Sequence, residues 1–577
     1  MGEIRLGNTF SAGGRTVIGG SNTGFDTKAL VDGLVQAKRL PAVQLEKKIE
    51  ANAAKQTAYS ELSTLLDNFK KASNFLRNPP GVNNDSENIF QYRNSSLSTN
   101  TGIAASNYLD STVSPGADLS TYAITVNNLA TYNIKTTNTF ALANVNTAVV
   151  GPTSEFKSGL LSLGASGTTV SLADGDTLQN VIDKINAKTS TTKVQATAIQ
   201  VSAGNFRLQL KTTETGAANN YATPGAAMFP NGFAIDQSAL DASIVVDGST
   251  ITSASNTISN AISNVTFTVK QPTPVGVTVG LEVEADTEIA KTAILNFVDA
   301  YNNLKYFNSK QTEIGDDGLA LETAVLKNSQ ALRSTLSSVV NEMSSLVSGL
   351  SSPNTLAAIG ITFTDFEGDE EIPYTRNTLV VDEDVLDSKL ASNFSAVRKI
   401  FEFDFNSTNS DVQIFSRNNS LDVSTFSLDI NRTAGTYEAT YLDNGVITTV
   451  SLTGTAISGG GLLLKGNTGT KLDGLQMIYS NTADIVSVIN LSQGISDRIY
   501  NTLENVTNLT TGSMTIERQS TFDEDKRSNT EITRLDELIE KYRQQLLEKF
   551  STLESALGRI NSILNSLDAN TNARNNA

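Results

Sequence analysis

The sequence contains no cysteine, no histidine and no tryptophan among its 577 residues. These absences exclude disulfides, thiolate and imidazole metal ligands, Ser-His and Cys-His nucleophile pairs and a histidine pH switch. Only 18% of the residues are charged, and 60 acidic against 43 basic residues give a formal net charge of -17. This balance argues against a nucleic-acid binder or a peripheral binder of anionic lipid. No stretch approaches the roughly 20 apolar residues that span a bilayer, so no membrane insertion is expected.

No group of residues has the spacing of a known catalytic, phosphate-binding or metal-binding motif. The glycine run at 459–461 lacks the G-K-[ST] ending of a phosphate loop, so a β-turn is expected there. The acidic groups at 316–318, 367–371 and 382–387 lack the EF-hand order and are interpreted as solvated acidic turns. No pair of carboxylates is marked out for glycoside hydrolysis, and no tryptophan could form a sugar platform. We therefore expect no catalytic residues, no metal and no cofactor, and the protein is not predicted to be an enzyme.

The N-terminal end has helical patterning. Residues 1–24 are polar and glycine-rich and are expected to be disordered, whereas 25–78 should form helices that start at an N-cap on Asp26. Pro41 is expected to begin a second helix, because proline suits a first turn. The apolar residues that recur at helical spacing and that we expect to make contacts are Leu30, Leu34, Leu45 and Ile49.

The C-terminal end, 481–570, has stronger helical patterning, and 571–577 is expected to be a disordered tail. Apolar residues are spaced by seven, which imposes a left-handed coiled coil. They are Ile532, Ile539, Leu546, Leu553, Ile560 and Leu567. Such a stripe needs a partner, either the N-terminal helices in an intramolecular hairpin or an intermolecular bundle. Residues 26–77 hold nine basic and six acidic residues, whereas 516–577 hold nine basic and eleven acidic ones, so the two ends are mildly complementary in charge.

The middle of the chain alternates between strand and helix patterns. Residues 80–287 predict a β-rich head of two subdomains with one helix at 178–188, and 288–350 a helical stem. Residues 351–480 predict a second β-rich region with an extra lobe near 402–472. The expected fold class is α+β, with terminal helical coiled-coil or bundle legs and β-rich head domains inserted between them.

The order of short motifs resembles a known family. Gly24-Phe25-Asp26-Thr27, Ala29-Leu30-Val31 and Leu40-Pro41 are similar to the N-terminal signature of the bacterial flagellar filament cap family, hook-associated protein 2. Further motifs that match the family follow in the family's order. These motifs lie at 122–130, 178–187, 207–218, 255–266, 297–304 and 356–362, followed by the C-terminal heptads. Residues 402–472 resemble the family least.

This resemblance implies a secreted structural protein of the bacterial flagellum, important for cell motility. It would leave the cell unfolded through the flagellar type III export channel, after contact with an export chaperone, and sit at the filament tip as a homo-oligomeric ring, commonly a pentamer. Next to flagellin and the hook–filament junction proteins, it would promote flagellin polymerisation and prevent the loss of exported subunits. The apolar residues of the terminal helices named above would then contact flagellin and other copies of the chain.

Two other classes stay open alongside the cap. A surface adhesin would use the β-rich head for cell adhesion, with 402–472 as the natural place for ligand contact. A flagellin or another hook-associated protein would also have helical ends around a β-rich middle. An enzyme is a third class, which only a measured turnover would support.

Overall fold

The computed structural model describes residues 9–12, 15–18, 26–80, 85–315, 318–417, 421 and 423–575. The chain divides into two compact units. Unit 1 comprises Met1–Pro80, Ala293–Lys389 and Ser395–Ala577, and unit 2 comprises Gly81–Thr292 with Leu390–Phe394. Helices together with antiparallel sheets confirm the predicted α+β class. No helix within the described ranges is long and apolar enough to cross a membrane.

Eight α-helices are formed by the described residues. They are α1 Thr27–Leu76, α2 Leu178–Asn186, α3 Thr189–Thr192, α4 Thr287–Thr312, α5 Gln330–Ser344, α6 Glu383–Phe401, α7 Ile495–Thr507 and α8 Ser513–Asn575. As predicted, the Asp26 side chain caps α1, accepting a hydrogen bond of 3.0 Å from the Ala29 N–H. Phe25 lies outside the described residues.

The strands are grouped here by position along the chain. The first are β1 Thr9–Ala12, β2 Arg15–Ile18, β3 Arg93–Thr99, β4 Leu109–Val113, β5 Ser120–Asn128, β6 Ile134–Thr137, β7 Phe140–Ala141, β8 Gly159–Leu163 and β9 Thr168–Leu172. The next are β10 Val194–Ser202, β11 Asn205–Thr212, β12 Phe233–Gln237, β13 Ala242–Val246, β14 Ser249–Ser253, β15 Thr257–Ile262, β16 Val265–Val269 and β17 Val279–Ala285. The last are β18 Ile361–Phe366, β19 Thr375–Val381, β20 Phe403–Ser407, β21 Val412–Ser416, β22 Thr425–Asn431, β23 Thr436–Asp443, β24 Val446–Ala456, β25 Leu462–Gly466, β26 Gln476–Tyr479 and β27 Ile485–Gln493.

Unit 2 has two separate apolar cores. One sheet, ordered β14-β13-β5-β17-β3, lies with β15-β16-β4 around a core that includes Ile124, Ile244 and Phe267. The other, ordered β10-β11-β6-β12 with β7 on β11, packs with the β8–β9 hairpin and α2 around Phe156 and Leu208. The α2 helix confirms the predicted helix at 178–188, since its apolar face is buried.

Unit 1 contains an eight-stranded antiparallel sheet between residues 403 and 493. Its order is β20-β27-β22-β23-β24-β25-β26-β21, so two strands adjacent in sequence occupy its two ends. Alternate side chains such as Phe426, Leu428 and Ile430 enter a core of their own. The predicted turn at 459–461 is confirmed: Gly459 and Gly460 have φ values of 83° and 85° between β24 and β25.

Two polar residues in α4 anchor the β18–β19 hairpin. The Asn302 side chain donates to the Leu379 carbonyl at 2.9 Å and accepts from the Leu379 N–H at 2.8 Å. The Tyr301 hydroxyl donates to the Asn377 carbonyl at 2.6 Å. Two residues of the motif at 297–304 therefore hold the β18–β19 hairpin against α4.

The terminal helices differ from the sequence-based expectation in their continuity and in their bounds. Pro41 lies inside α1 and does not begin a new helix. An interior proline typically costs about 3 kcal/mol. The helix continues because α1 packs along α8 on both sides of Pro41, with Val31 buried before it and Ala42, Tyr59 and Leu62 buried after it. These tertiary contacts together outweigh the local cost. Disorder was also the wrong expectation for 571–575, where α8 continues to Asn575, and for 9–12 and 15–18, which form the antiparallel β1–β2 pair.

Two further expectations about the second β-rich region were wrong. Residues 382–387 are not a solvated turn but the start of α6, where the Asp382 side chain accepts from the Val385 N–H at 3.1 Å. Acidic residues in the first turn are stabilised by the positive end of the helix dipole. Residues 367–371 do lie in the predicted turn, between β18 and β19, while Asp316 and Asp317 lie outside the described residues. Finally, β27 extends the sheet to Gln493, so helix begins only at Ile495 and not at 481.

A buried ion cluster joins α7, α1 and the strand region of unit 1. Asp497 is fully buried, and its carboxylate lies 2.9 Å from Arg417 and 3.6 Å from Arg77. The Arg77 guanidinium also stacks 3.5 Å from the centroid of the Tyr500 ring. Burial lowers the pKa of Arg77, and the negative charge of Asp497 opposes that shift. Loss of the carboxylate would leave two buried cations without compensation.

Asp497→Asn should therefore destabilise unit 1 by about 3–5 kcal/mol, because breaking a buried pair leaves an uncompensated charge. Urea unfolding followed by circular dichroism measures the effect. Asp523→Asn, on the exposed surface of α8, is the matched control and should change stability by less than about 0.5 kcal/mol. Equal midpoints for the two variants would contradict the structural role of the cluster.

Candidate docking surface on the terminal helices

The two ends of the chain pair with each other as antiparallel helices. The Tyr59 hydroxyl of α1 donates to Glu517 of α8 at 2.9 Å, near the start of α8. Farther out, Asp32 near the start of α1 lies 3.1 Å from Arg543. The sequence left an intramolecular hairpin and an intermolecular bundle open. The structure uses the intramolecular pairing for most of α1.

The inner half of α1 is held in a helical core. Its buried apolar side chains are Ala58, Tyr59, Leu62, Leu66, Phe69 and Leu76. The Phe69 ring lies 5.2 Å from that of Phe297 in α4, and Leu62 and Leu66 pack with Leu332 of α5. Full burial of each large side chain contributes about 1.5–3 kcal/mol, so this half of the helix is firmly anchored.

Glu517 is the polar centre of this helical core. Its carboxylate accepts from Ser329 Oγ at 2.6 Å, from the N–H groups of Gln330 and Ala331 at 2.9 Å, and from Tyr59 Oη at 2.9 Å. Burial would raise the pKa of Glu517, but these hydrogen bonds outweigh it and lower that pKa. Burial, followed by the bond to Glu517, raises the pKa of Tyr59 to about 12. A side chain of α8 thus caps α5 and fastens α1 at one point.

The outer half of the α1–α8 seam is polar. Asn52 is fully buried and donates to Glu524 at 3.1 Å and to Asp525 at 2.7 Å. Lys48 also pairs with Glu524 at 2.6 Å. A buried polar residue in a helical seam specifies register at a cost in stability, and exposed ion pairs contribute about 0–1 kcal/mol each. These ion pairs confirm the predicted charge complementarity of the ends, and they make the outer seam specific in register but weak.

The apolar content of the outer seam is concentrated at its far end. Val31 and Leu547 are buried against each other. The half-buried side chains around them are Val35, Leu546 and Phe550. Because α1 begins at Thr27, it offers no partner to α8 much beyond this cluster.

The last part of α8 extends past the start of α1. Residues 551–575 add roughly 25 residues, or about 37 Å of helix at 1.5 Å per residue. Its apolar side chains are about half exposed. The exposed fraction is 47% for Leu553, 50% for Ile560, 52% for Leu564 and 55% for Leu567. With half-buried Leu557, their spacing alternates four and three residues, which is the seam of a coiled coil. Strand β1 also packs against α8.

The sequence-predicted contact residues divide into two groups. Five of them lie within the intramolecular seam: Ile539 is buried, whereas Leu45, Ile49, Ile532 and Leu546 are half-buried. The other five are exposed: Leu30, Leu34, Leu553, Ile560 and Leu567. Leu30 and Leu34 lie away from the seam because Val31 and Val35 face α8.

We name the exposed apolar stripe and its neighbours the tip surface. It consists of Leu30, Leu34, Leu553, Leu557, Ile560, Ile563, Leu564 and Leu567. The N-terminal end of α1 meets α8 at Leu547, so both contributions belong to the same end of the helical pair. No cluster of three or more acidic side chains able to hold a metal ion occurs among the described residues. The side chains that this surface exposes are aliphatic.

The sequence reasoning missed the polar residues that fix the seam. Asn52 stands in a series spaced by seven with Leu45, Tyr59 and Leu66, so a polar residue at a seam position was a readable signal. Glu517 offered no such signal, since its partners come from helices far away in sequence.

Models of known families match most of the chain. The model described as "Flagellar hook-associated protein 2 C-terminus" matches residues 239–562, and the corresponding N-terminal model matches 23–133. The "Flagellin hook IN motif" matches 161–214. The matched segments lie in the order in which the sequence motifs were found.

Individual proteins are similar over large parts of their length. The A-type flagellar hook-associated protein 2 of Pseudomonas aeruginosa is 28% identical over 417 residues, covering 67% of this chain and 81% of that protein. Flagellar hook-associated protein 2 of Escherichia coli K12 is 27% identical over 387 residues, covering 63% and 77%. The crystal structure of the flagellar cap protein FliD D1-D2-D3 domains from Escherichia coli is 24% identical, with a TM-score of 0.43, covering 59% of this chain and 89% of that one.

Glu517→Gln should lower the free energy of unfolding at pH 7 by about 1–3 kcal/mol, because the charged acceptor of four hydrogen bonds is lost. The pKa of Glu517 is lower in the folded state, so its contribution is complete above the ordinary value of 4.5 and is lost as the pH falls through the folded value. The difference between wild type and variant should therefore shrink on acidification.

Unfolding monitored by circular dichroism at pH 7 and below pH 4.5 tests this expectation. Glu537→Gln removes an exposed carboxylate from the same helix and serves as the control. A pH-independent difference between wild type and Glu517→Gln would show that the Glu517 charge does not support the seam.

Proposed function

Since this chain belongs to the flagellar hook-associated protein 2 family and is therefore a flagellar filament cap protein, we propose that its tip surface holds it at the end of the filament. The family is a structural one. The observation that carries the proposal is the apolar stripe of α8 beyond Leu547, which has coiled-coil spacing and no α1 partner. A neighbouring helix at the filament end would complete this seam.

The strength of this docking fits a cap that must move as the filament grows. Full burial of a leucine or isoleucine contributes about 1.5–3 kcal/mol, so a half-exposed side chain has about half of that to gain. The five side chains of the stripe therefore offer roughly 4–8 kcal/mol per chain, most of which the cost of association removes. One leg is weak and reversible. Several legs acting together gain affinity through multivalency, which keeps the whole assembly in place.

Cap proteins of this family oligomerise at the filament tip, and here we propose a closed homo-oligomeric ring, a pentamer, with flagellin and the hook–filament junction proteins as neighbours. A closed ring satisfies every subunit interface. The β-rich parts of units 1 and 2 would confine emerging flagellin, promote its polymerisation and prevent its loss. The helical pair of α1 and α8 would act as the leg. The adhesin interpretation is not favoured, because the family matches lead to the cap.

The chain is a component of the flagellum, and we propose that it reaches the exterior unfolded through the flagellar export channel after binding a chaperone. No cysteine occurs in the sequence, so no disulfide can lock the chain before export. The polar outer seam also supports this route, since its exposed ion pairs add little to the stability that unfolding must overcome.

Ile560→Asp with Leu564→Asp should abolish capping without unfolding the chain, because both side chains are exposed and each would place a charge in the docking seam. In a strain lacking its own copy of the protein, cells that carry the variant should swim poorly and release flagellin monomers into the medium. Swimming assays and immunoblots of the medium measure both effects.

The matched control is Ser562→Asp with Asn565→Asp, which adds the same charge to the same exposed helix away from the stripe. Control cells should swim normally, and both variants should keep the circular dichroism of the wild type. Normal swimming with Ile560→Asp/Leu564→Asp would rule out the tip surface as the attachment site.

A further inference from the structure

A polar cavity in unit 1 lies apart from the tip surface. It has a volume of about 310 Å³ and lies among α4, α5 and the residues around Asn377 of β19. Its lining includes two cations, Lys305 and Arg333, and three carboxamides, Asn308, Asn341 and Asn377. The other lining residues are Leu336, Ser337 and Val340. Among the residues that the structure describes, no carboxylate belongs to this lining.

Lys305 is the unusual member of this group. Only 9% of the residue is exposed. The acidic side chain that acts on it, Asp365, is committed elsewhere: it accepts from Tyr374 Oη at 2.6 Å and from the Asn377 N–H at 3.0 Å. Burial lowers the pKa of Lys305, and the charge of Asp365 only partly opposes this shift.

Arg333 adds a second cation, and its side chain is exposed at the edge of the cavity. Its guanidinium donates to the Asn328 carbonyl at 3.5 Å and to Gln330 Oε1 at 3.3 Å, both of which are neutral acceptors. Two cations that line one concavity repel each other, and burial of an unpaired ammonium group is costly. An anion in the cavity would relieve both effects. The amide groups offer additional hydrogen-bond donors to it.

We infer that this cavity is a binding site for a carboxylate group carried by a neighbouring protein chain. Its volume is about ten times the roughly 30 Å³ that one water occupies in the liquid, which leaves room for a side chain along with its carboxylate. Arginine and lysine are the side chains that bind carboxylates by charge-assisted hydrogen bonds. None of the residues that line this cavity belongs to the tip surface, so carboxylate binding can be measured on the isolated chain, separately from capping.

The first test uses glutarate as the probe and isothermal titration calorimetry of the full-length protein, with chloride at matched ionic strength as the reference. Wild type should bind glutarate, and Lys305→Met should weaken that binding at least about tenfold, as expected for loss of a charged hydrogen-bond partner. Arg333→Gln is a second variant in case Lys305→Met alters folding. Lys310→Met, an exposed residue of the same helix, should bind like wild type.

Without glutarate, Lys305→Met should unfold at a temperature equal to or above that of wild type, because an unpaired buried charge is removed. Absence of glutarate binding by wild type, or equal binding by Lys305→Met and wild type, would overturn the inference. Neither result would affect the swimming test of the tip surface, so the two proposals can fail separately.

A second arm identifies the chain that supplies the carboxylate. Sedimentation velocity of wild type and Lys305→Met measures self-association, and co-sedimentation with purified flagellin measures binding to that partner. Weaker self-association of the variant would assign the carboxylate to another copy of this chain, and loss of flagellin binding alone would assign it to flagellin. If neither changes, a protein-borne carboxylate is excluded even where glutarate binds.

Discussion

The antiparallel pairing of α1 with α8 is the interaction that organises the helical part of unit 1. It brings together residues separated by nearly the whole sequence, such as Asp32 and Arg543. The seam changes character along its length. Its inner half is apolar and carries the Glu517 cap on α5, whereas its outer half is held by Asn52 and ion pairs. One helix pair therefore has a firmly packed inner half and a weakly held outer half.

The weakness of the outer half is consistent with a leg that must engage and release. Exposed ion pairs specify which residues face each other while contributing little stability. The stripe beyond Leu547 leaves apolar side chains about half exposed, and our proposal is that a neighbouring chain covers them. In the proposed function, attachment would be distributed over several weak legs, so that displacement of one leg would leave the others engaged.

Periodicity allowed the sequence to predict the terminal helices, the coiled-coil stripe and the strand regions, because these follow from local patterns. The continuity of α1 through Pro41 was not predictable, since it depends on contacts with a helix about 500 residues away. The Asp382 cap of α6 was readable but was interpreted as a turn. The cavity around Lys305 is formed by three segments that are separate in the sequence, so no local sequence pattern could predict it.

The most direct test of the docking account is photo-crosslinking from Ile560. A photoreactive amino acid at this position, in caps assembled on growing filaments, reports which chain covers the stripe. The account predicts crosslinks to flagellin or to a second copy of the chain at the filament end. Crosslinks confined to the same chain, on filaments that remain capped, would contradict it.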